Sequence, residues 1–243
     1  MSLTSGTEKR ALITGASSGI GEATALAFAK AGIHVALVSR SQAKLEAVAE
    51  QARKAEVKAQ AYPLDLSQIE QVKSGIKAIA ADFGPIDILV NSAGMGYTNS
   101  MLNTPLADWQ RVIDLNLTSV FQCIQGILPL MRDRSQGTII NVVSIAGKQV
   151  FSDWGVYSVS KFGLMALSKA LAVEERNHGI RVTAICPGSV NTPIWDTESV
   201  QADFDRSAML TPEIVAQSIL YTALAPSSAV IEELTLMPSA GAF

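Results

Sequence analysis

At 243 residues, with 48% hydrophobic and 17% charged residues, the chain is apolar for a soluble protein and long enough to bury a large core, so one α/β domain spanning residues 1–243 is expected. A net charge of −3 with no long basic run argues against nucleic acid or an anionic membrane as the main partner, and no run of eighteen apolar residues suggests a membrane span. The polar start MSLTSGTEKR and two cysteines set in apolar segments, Cys123 and Cys186, lead to the expectation of a reducing, cytoplasmic setting without a disulfide framework.

The first strand is predicted over 10–14 and runs through TGASSGIG into a helix over 19–31. Gly15, Gly19 and Gly21 let the backbone turn tightly and approach a pyrophosphate, and the helix N-terminus offers free N–H groups to the anion. Ser17 and Ser18 add hydroxyls. A glycine-bearing turn that binds nothing would use the same residues; its place between strand and helix favours the phosphate cradle. The second strand, 34–39, ends in VALVSRS. A site for NAD offers an acid here, about 20 residues past the glycines, to the ribose 2′-hydroxyl. This chain has Ser39 and Arg40, and no acid until Glu46. A guanidinium matches a 2′-phosphate bidentately, so NADP is expected rather than NAD.

A helix over 42–54 and a strand over 57–64 follow, then Asp65 in YPLDLS. Ligands of an open parallel sheet lie outside the carboxyl ends of its strands, so Asp65 either accepts from an adenine amino group or serves the next helix, 68–83. The strand over 86–91 ends in Asn91-Ser92-Ala93-Gly94, small residues that suit close passage of a cofactor or a tight turn. Asn116 lies in a helix over 106–132, and Ser144 ends a strand over 138–144. Continuous apolar runs such as ILV and TIINVVS fit strands buried on both faces. A helix over 156–178, a strand over 181–186, a helix over 212–224 and a strand over 233–237 complete the alternation. About seven parallel strands with helices on both faces are expected, a Rossmann-type doubly wound sheet. The irregular stretch 188–210, with Pro193, Trp195 and the acids Asp196, Glu198, Asp203 and Asp205, is expected to be a substrate lid. His34 and His178 have no partners at ligand spacing, so no metal site is expected.

The helix over 156–178 opens with YSVSK. Tyr157 and Lys161, four apart, share a helical face with Cβ atoms roughly 5–6 Å apart. An ammonium about 5 Å away stabilises a phenolate by roughly 3 kcal/mol at an effective dielectric of about 20. That is about 2 pKa units, enough to bring a phenol near the operating pH of a proton-transfer catalyst.

In order and spacing, TGASSGIG, NSAG, the Asn of DLNLTSVF, the Ser of NVVSIAG, YSVSK and PGSVNT resemble the motifs of the short-chain dehydrogenase/reductase family, from Arg10 to about Met237. The resemblance implies a catalytic tetrad of Asn116, Ser144, Tyr157 and Lys161. Tyr157 would exchange a proton with the substrate oxygen, Ser144 would donate to that oxygen, Lys161 would depress the phenol and bond the nicotinamide ribose, and Asn116 would hold a water linking Lys161 to solvent. Contacts to NADP(H) would come from Gly15, Ser17, Ser18, Gly19, Ile20, Gly21, Ser39, Arg40, Asp65, Leu66, Asn91, Ala93 and Gly94, from Tyr157 and Lys161, and from Pro187, Gly188, Val190 and Thr192 near the nicotinamide. Ser18 is not basic, so the reading of NADP rests on Arg40. The ending VIEELTLMPSAGAF lacks the glycine-rich close of the β-ketoacyl reductases of that family.

Met95, Tyr97, Phe151, Trp154 and Trp195 are the expected substrate pocket, which favours a small carbonyl or secondary alcohol with an apolar body. The alternative within enzymes is reduction of a 3-oxoacyl thioester on acyl-carrier protein or CoA, which needs a basic docking patch; Arg132, Arg134 and Arg176 are its candidates. A non-catalytic NADP-binding regulator would need the cradle without the tetrad. The two long apolar helices and the family resemblance lead to the expectation of a homo-oligomer, a tetramer or dimer.

Overall fold

The computed structural model describes residues 8–202, 205–239 and 241, so Asp203, one of the lid acids, lies outside the described residues. Seven strands form one parallel sheet: β1 (Arg10–Thr14), β2 (His34–Ser39), β3 (Ala59–Pro63), β4 (Ile88–Asn91), β5 (Gly137–Val142), β6 (Ile180–Pro187) and β7 (Glu233–Leu236). Their order is β3-β2-β1-β4-β5-β6-β7. The connecting helices are α1 (Gly19–Lys30), α2 (Gln42–Arg53), α3 (Ile69–Phe83), α4 (Leu106–Ile113), α5 (Ser119–Arg132), α6 (Gly155–Glu175) and α7 (Pro212–Ala223).

Strand residues alternate between two cores. Ile13, Val35 and Leu37 pack with Phe28, Leu45 and Ile219 from α1, α2 and α7. Leu12, Ala36 and Val38 pack with Ile76, Ile127 and Leu164 from α3, α5 and α6. Both faces are therefore covered, which is why the strands read as unbroken apolar runs. Each fully buried Leu or Ile contributes about 1.5–3 kcal/mol relative to leaving it exposed.

The strand order reverses where β1 pairs with both β2 and β4, which opens a crevice beyond the carboxyl ends of these strands. Thr14 ties the crevice together. Its Oγ1 accepts from the backbone N–H groups of Ser92 and Ala93, each at 3.1 Å. Beneath it, Asn91 Nδ2 donates to Asn141 Oδ1 at 2.9 Å, and Asn141 Nδ2 donates to Ser168 Oγ at 2.9 Å. This buried polar line braces β4, β5 and α6 against one another.

Several boundaries differ from the sequence expectation. The helix expected over 106–132 is interrupted by a π-helical turn, Asp114–Thr118, which carries Asn116. The strand expected over 138–144 stops at Val142, because Ser144 turns out of the sheet at φ 137°. The helix expected over 156–178 ends at Glu175, and Arg176–His178 continues as a 3₁₀ turn closed by Gly179 at φ 72°. By length and composition the stretch Gly155–His178 is apolar enough to cross a membrane; its Leu164, Met165 and Leu171 pack in the core with Ile139 and Val182 of the sheet. Cys123 and Cys186 are free, buried thiols whose pKa values burial pushes up to about 12 and about 11.

The stretch 188–210 is tied at several points. Asn191 N–H donates to Leu210 O at 2.8 Å, and Leu210 N–H donates to Ser189 O at 3.0 Å. Thr98 N–H donates to Ser199 O at 2.9 Å, and Ser199 Oγ donates to Gly96 O at 2.8 Å.

Candidate active site

One long groove runs over the carboxyl ends of the strands. Its first half is lined by Gly15, Ser17, Ser18, Gly19, Ile20 and Gly21 from the turn before α1, by Ser39 and Arg40 after β2, by Asp65 and Leu66 after β3, and by Ala93 and Gly94 after β4. The glycine turn is packed to its limit. Gly15 sits at φ 67°, and a Cβ on Gly21 would stand 2.3 Å from the carbonyl oxygen of Gly15. Ser18 caps α1 by backbone alone, its side chain making no capping bond. Ser39 Oγ is buried with no partner among the described residues, an orphan of the kind a bound group satisfies. Arg40 is exposed and makes no ion pair among the described residues. Lys44, which sequence reasoning did not single out, lines the same end. Asp65 Oδ1 accepts from the backbone N–H and hydroxyl of Ser67, at 3.0 and 2.8 Å, so its carboxylate also shapes the turn into α3. Asn91 is buried and bonded to Asn141; its side chain braces the sheet rather than facing the groove.

The second half is a cavity of about 360 Å³ that contains Ser144, Tyr157 and Lys161. Tyr157 and Lys161 lie on the first turns of α6, and Ser144 follows β5. At φ 137° Ser144 occupies a region L-residues rarely adopt, held there by the 3₁₀ turn Ile145–Gly147, whose Ala146 N–H donates to Ser144 Oγ at 3.1 Å. Asn116 is fully buried. Its Oδ1 accepts from Met95 N–H at 2.8 Å, and its Nδ2 donates to Met95 O at 2.9 Å and Ser160 Oγ at 3.1 Å. Asn116 therefore clamps the backbone after β4; its Oδ1 and the Lys161 ammonium lie on the same side of Gly94.

The acidity of the phenol differs from the sequence expectation. Burial raises Tyr157 above its ordinary pKa, and the hydrogen bond with Ser144 offsets part of the rise. Lys161 Nζ stands 5.7 Å from the Tyr157 ring centroid and donates to Val142 O at 3.0 Å. Burial also pushes Lys161 down, to about 8. An ammonium's field is not the only influence on a phenol: desolvation acts on both groups and is the largest cause of each shift.

The cavity wall is apolar. Met95, Phe151, Trp154 and Trp195 line it, with Val143, Ile145, Ile194 and Met237, which sequence reasoning did not name. Ile194 stands two residues past PGSVNT, a signal that was available; Met237 arrives only because β7 lies beside β6. Pro187, Gly188, Val190 and Thr192 border the same cavity. Tyr97 does not. It is 4% exposed, packs on Val112 and Val156, and donates its hydroxyl to Asp108 Oδ2 at 3.1 Å. Its expected place in the substrate pocket is corrected to a small satellite core beside the first half of the groove, whose wall it joins. An apolar wall, an uncharged phenol backed by a serine, and a buried lysine make a site able to give a proton to an oxygen.

The sequence model for short chain dehydrogenases matches residues 9–203. A glycine betaine reductase of Emericella nidulans is 37% identical over 236 residues, which are 95% of this chain and 19% of that protein, so the chain spans about a fifth of that relative. An uncharacterized oxidoreductase of Staphylococcus aureus is 34% identical over 96% of this chain and 98% of its own length. The X-ray structure of an alcohol dehydrogenase from the archaeon Thermococcus sibiricus, complexed with 5-hydroxy-NADP, superposes with a TM-score of 0.88 at 28% identity, covering 96% of this chain and 97% of that one.

Proposed function

Because the chain belongs to the short-chain dehydrogenase/reductase family of oxidoreductases, we propose that it catalyses NADP(H)-dependent interconversion of a carbonyl and a secondary alcohol with an apolar body. The observation that carries this reading is the convergence of Ser144, Tyr157 and Lys161 in one apolar cavity that continues into the groove of the glycine turn. Three features support a dinucleotide with a 2′-phosphate: the glycines leave room for backbone only, and among the described residues Ser39 Oγ is an unsatisfied buried hydroxyl and Arg40 has no ion pair with a carboxylate.

When bound, the dinucleotide supplies or accepts the hydride. Gly15, Ser17, Ser18, Gly19, Ile20 and Gly21 would hold its phosphates, Ser39 and Arg40 the 2′-phosphate, and Asp65 and Leu66 the adenine side. The Asn91 backbone, Ala93, Gly94, Tyr157 and Lys161 would hold the middle, and Pro187, Gly188, Val190 and Thr192 the nicotinamide side. In reduction Tyr157 gives its proton to the substrate oxygen. Its raised pKa keeps the phenol protonated and ready at neutral pH. Ser144 holds the same oxygen as charge develops on it. Lys161, as an ammonium, stabilises the phenolate left behind, and Asn116 keeps the Met95 backbone in place beside it, where a water would connect the lysine to solvent.

A free carbonyl compound is favoured over a carrier-bound thioester, because the three candidate docking arginines are already engaged. Arg132 bonds Glu175, Arg134 bonds Asp87 and the Ile86 carbonyl, and Arg176 bonds Glu232. A regulator that only binds the dinucleotide would have no use for the Ser144, Tyr157 and Lys161 cluster. Exposed Phe121 on α5 and Val159 and Phe162 on α6 support a homo-oligomer, a tetramer or dimer, formed on these helices. The buried free thiols suit a cytoplasmic setting, and the stretch at about 188–210 would act as the lid. The test is NADPH oxidation, followed by absorbance, against a panel of ketones and 3-oxoacyl thioesters. Turnover of ketones is expected; a panel wholly inert with both cofactors defeats the reading. Sedimentation that returns only a monomer at micromolar concentration defeats the oligomer.

A further inference from the structure

We propose that Lys148 and Glu233 form a positioning pair for Ser144, a brace across the sheet that fixes the serine hydroxyl against the Tyr157 phenol. The proposal deepens the function proposed above and rests on it. At φ 137° Ser144 holds a conformation that persists only where its surroundings over-determine it. Gly147 N–H donates to Ser144 O at 3.0 Å, Ala146 N–H to Ser144 Oγ at 3.1 Å, and Lys148 N–H to Ile145 O at 2.9 Å. These bonds close the turn, but bonds within a turn do not fix where it stands. One side is set by Gly147, where a Cβ would stand 2.8 Å from Lys161 O, so the turn is pressed onto α6.

The other side is set by Lys148, which ends the turn. Its ammonium donates to Glu233 Oε1 at 2.5 Å and to Thr235 Oγ1 at 3.1 Å, both on β7. β6 lies between β5, which leads into the turn, and β7, so the lysine spans β6 to tie the turn to the far strand. Each partner favours the charge of the other: the bond raises Lys148 and holds Glu233 below its ordinary pKa. β7 is also tied to the reacting centre, because Gly188 N–H donates to Leu236 O at 2.7 Å and Met237 lines the cavity. The position of the turn matters for one hydrogen. Ser144 Oγ accepts from Ala146 N–H, which leaves its own hydrogen for the phenol or the substrate oxygen. A shift of the turn moves that donor away from developing charge and leaves the glycine turn untouched.

The test is steady-state ketone reduction by variants whose folding is checked by NADPH fluorescence titration. Lys148→Met is expected to lower kcat about three- to fivefold, the reach of a partly exposed ion pair, with KM for NADPH within about twofold of the parent. Glu233→Gln is expected to do the same, and Lys148→Arg to keep most of kcat. Lys169, whose Nζ stands 3.7 Å from Glu233 Oε2, is the control, and Lys169→Met is expected to leave kcat unchanged. In a Ser144→Ala background Lys148→Met is expected to have no further effect, because the brace acts through the serine. An unchanged kcat in Lys148→Met, a loss carried wholly by NADPH affinity, or the same loss repeated in the Ser144→Ala background overturns the proposal. In a parent that reduces ketones these outcomes remove the brace alone, whereas a parent that reduces none removes the oxidoreductase reading and the brace with it.

Discussion

The two halves of the groove are made of different material. The half around the glycine turn is drawn from four short loops after β1, β2, β3 and β4, and at the turn itself, built from backbone and small residues, the tolerances are steric. The half around Tyr157 is built from large side chains brought from β4, β5, α6, the stretch after β6 and the end of β7, and its character comes from burial. A backbone-built turn can be abolished by one methyl group, whereas Arg40 at the far end of the same half acts through its charge. A side-chain-built site tolerates small steric changes, and its proton chemistry depends on how much water it excludes.

The sharpest break in the comparison is Tyr157→Phe. Removing the proton donor is expected to lower turnover about 10²–10⁴-fold while the chain still binds NADPH, measured by steady-state rates and fluorescence titration. A variant that keeps most of its turnover removes Tyr157 from the chemistry. Gly21→Ala tests the other half. Its Cβ would stand 2.3 Å from Gly15 O, so the turn must open. NADPH affinity is expected to fall about tenfold or more, from a steric cost of about 1–3 kcal/mol, with the phenol untouched. Unchanged affinity in the same titration shows that the turn does not cradle phosphates.

Arg40→Asp should shift the ratio of NADPH to NADH affinity about 10–100-fold toward NADH, the worth of one charge-assisted bond of about 1.5–3 kcal/mol. An unmoved ratio sinks the 2′-phosphate assignment. The smallest effect expected is on pH. Lys161 is depressed in the fold, so between about pH 8 and the ordinary lysine range the unfolded chain binds a proton that the folded chain does not. Stability therefore rises with pH across that window, and the burial penalty is present in full below it. Lys161→Met is expected to abolish this slope in thermal melts taken from pH 7 to 10. In the same range carbonyl reduction by the parent should decline as pH passes about 8 and the ammonium is lost.

The halves also differ in how much of them could be read beforehand. The glycine turn, the serine and arginine after β2 and the NSAG loop are contiguous motifs at strand ends, and the alternation of apolar runs with helical patterns sufficed for a seven-stranded parallel sheet. The cavity resisted reading where contacts cross the chain. Tyr97 reads as a pocket aromatic from its place after NSAG, yet its hydroxyl finds Asp108 and its ring finds Val112 and Val156. Asn141 and Ser168, which brace Asn91, carry no local signal because their partners lie on other elements. The π-turn that sets Asn116 against Met95 is a one-residue change of helical phase that periodicity does not report.

By itself the sequence determined the parallel sheet, the place of the glycine turn proposed to cradle phosphate and the residues proposed to carry proton transfer, because strand periodicity, glycine spacing and i,i+4 neighbourhood are local properties of a chain. Tertiary structure alone decided the state of those groups. Tyr157 is made a weaker acid than its neighbour's charge would suggest, and Trp154 and Trp195 meet edge to face, because desolvation and side-chain encounters depend on what every other element packs against them.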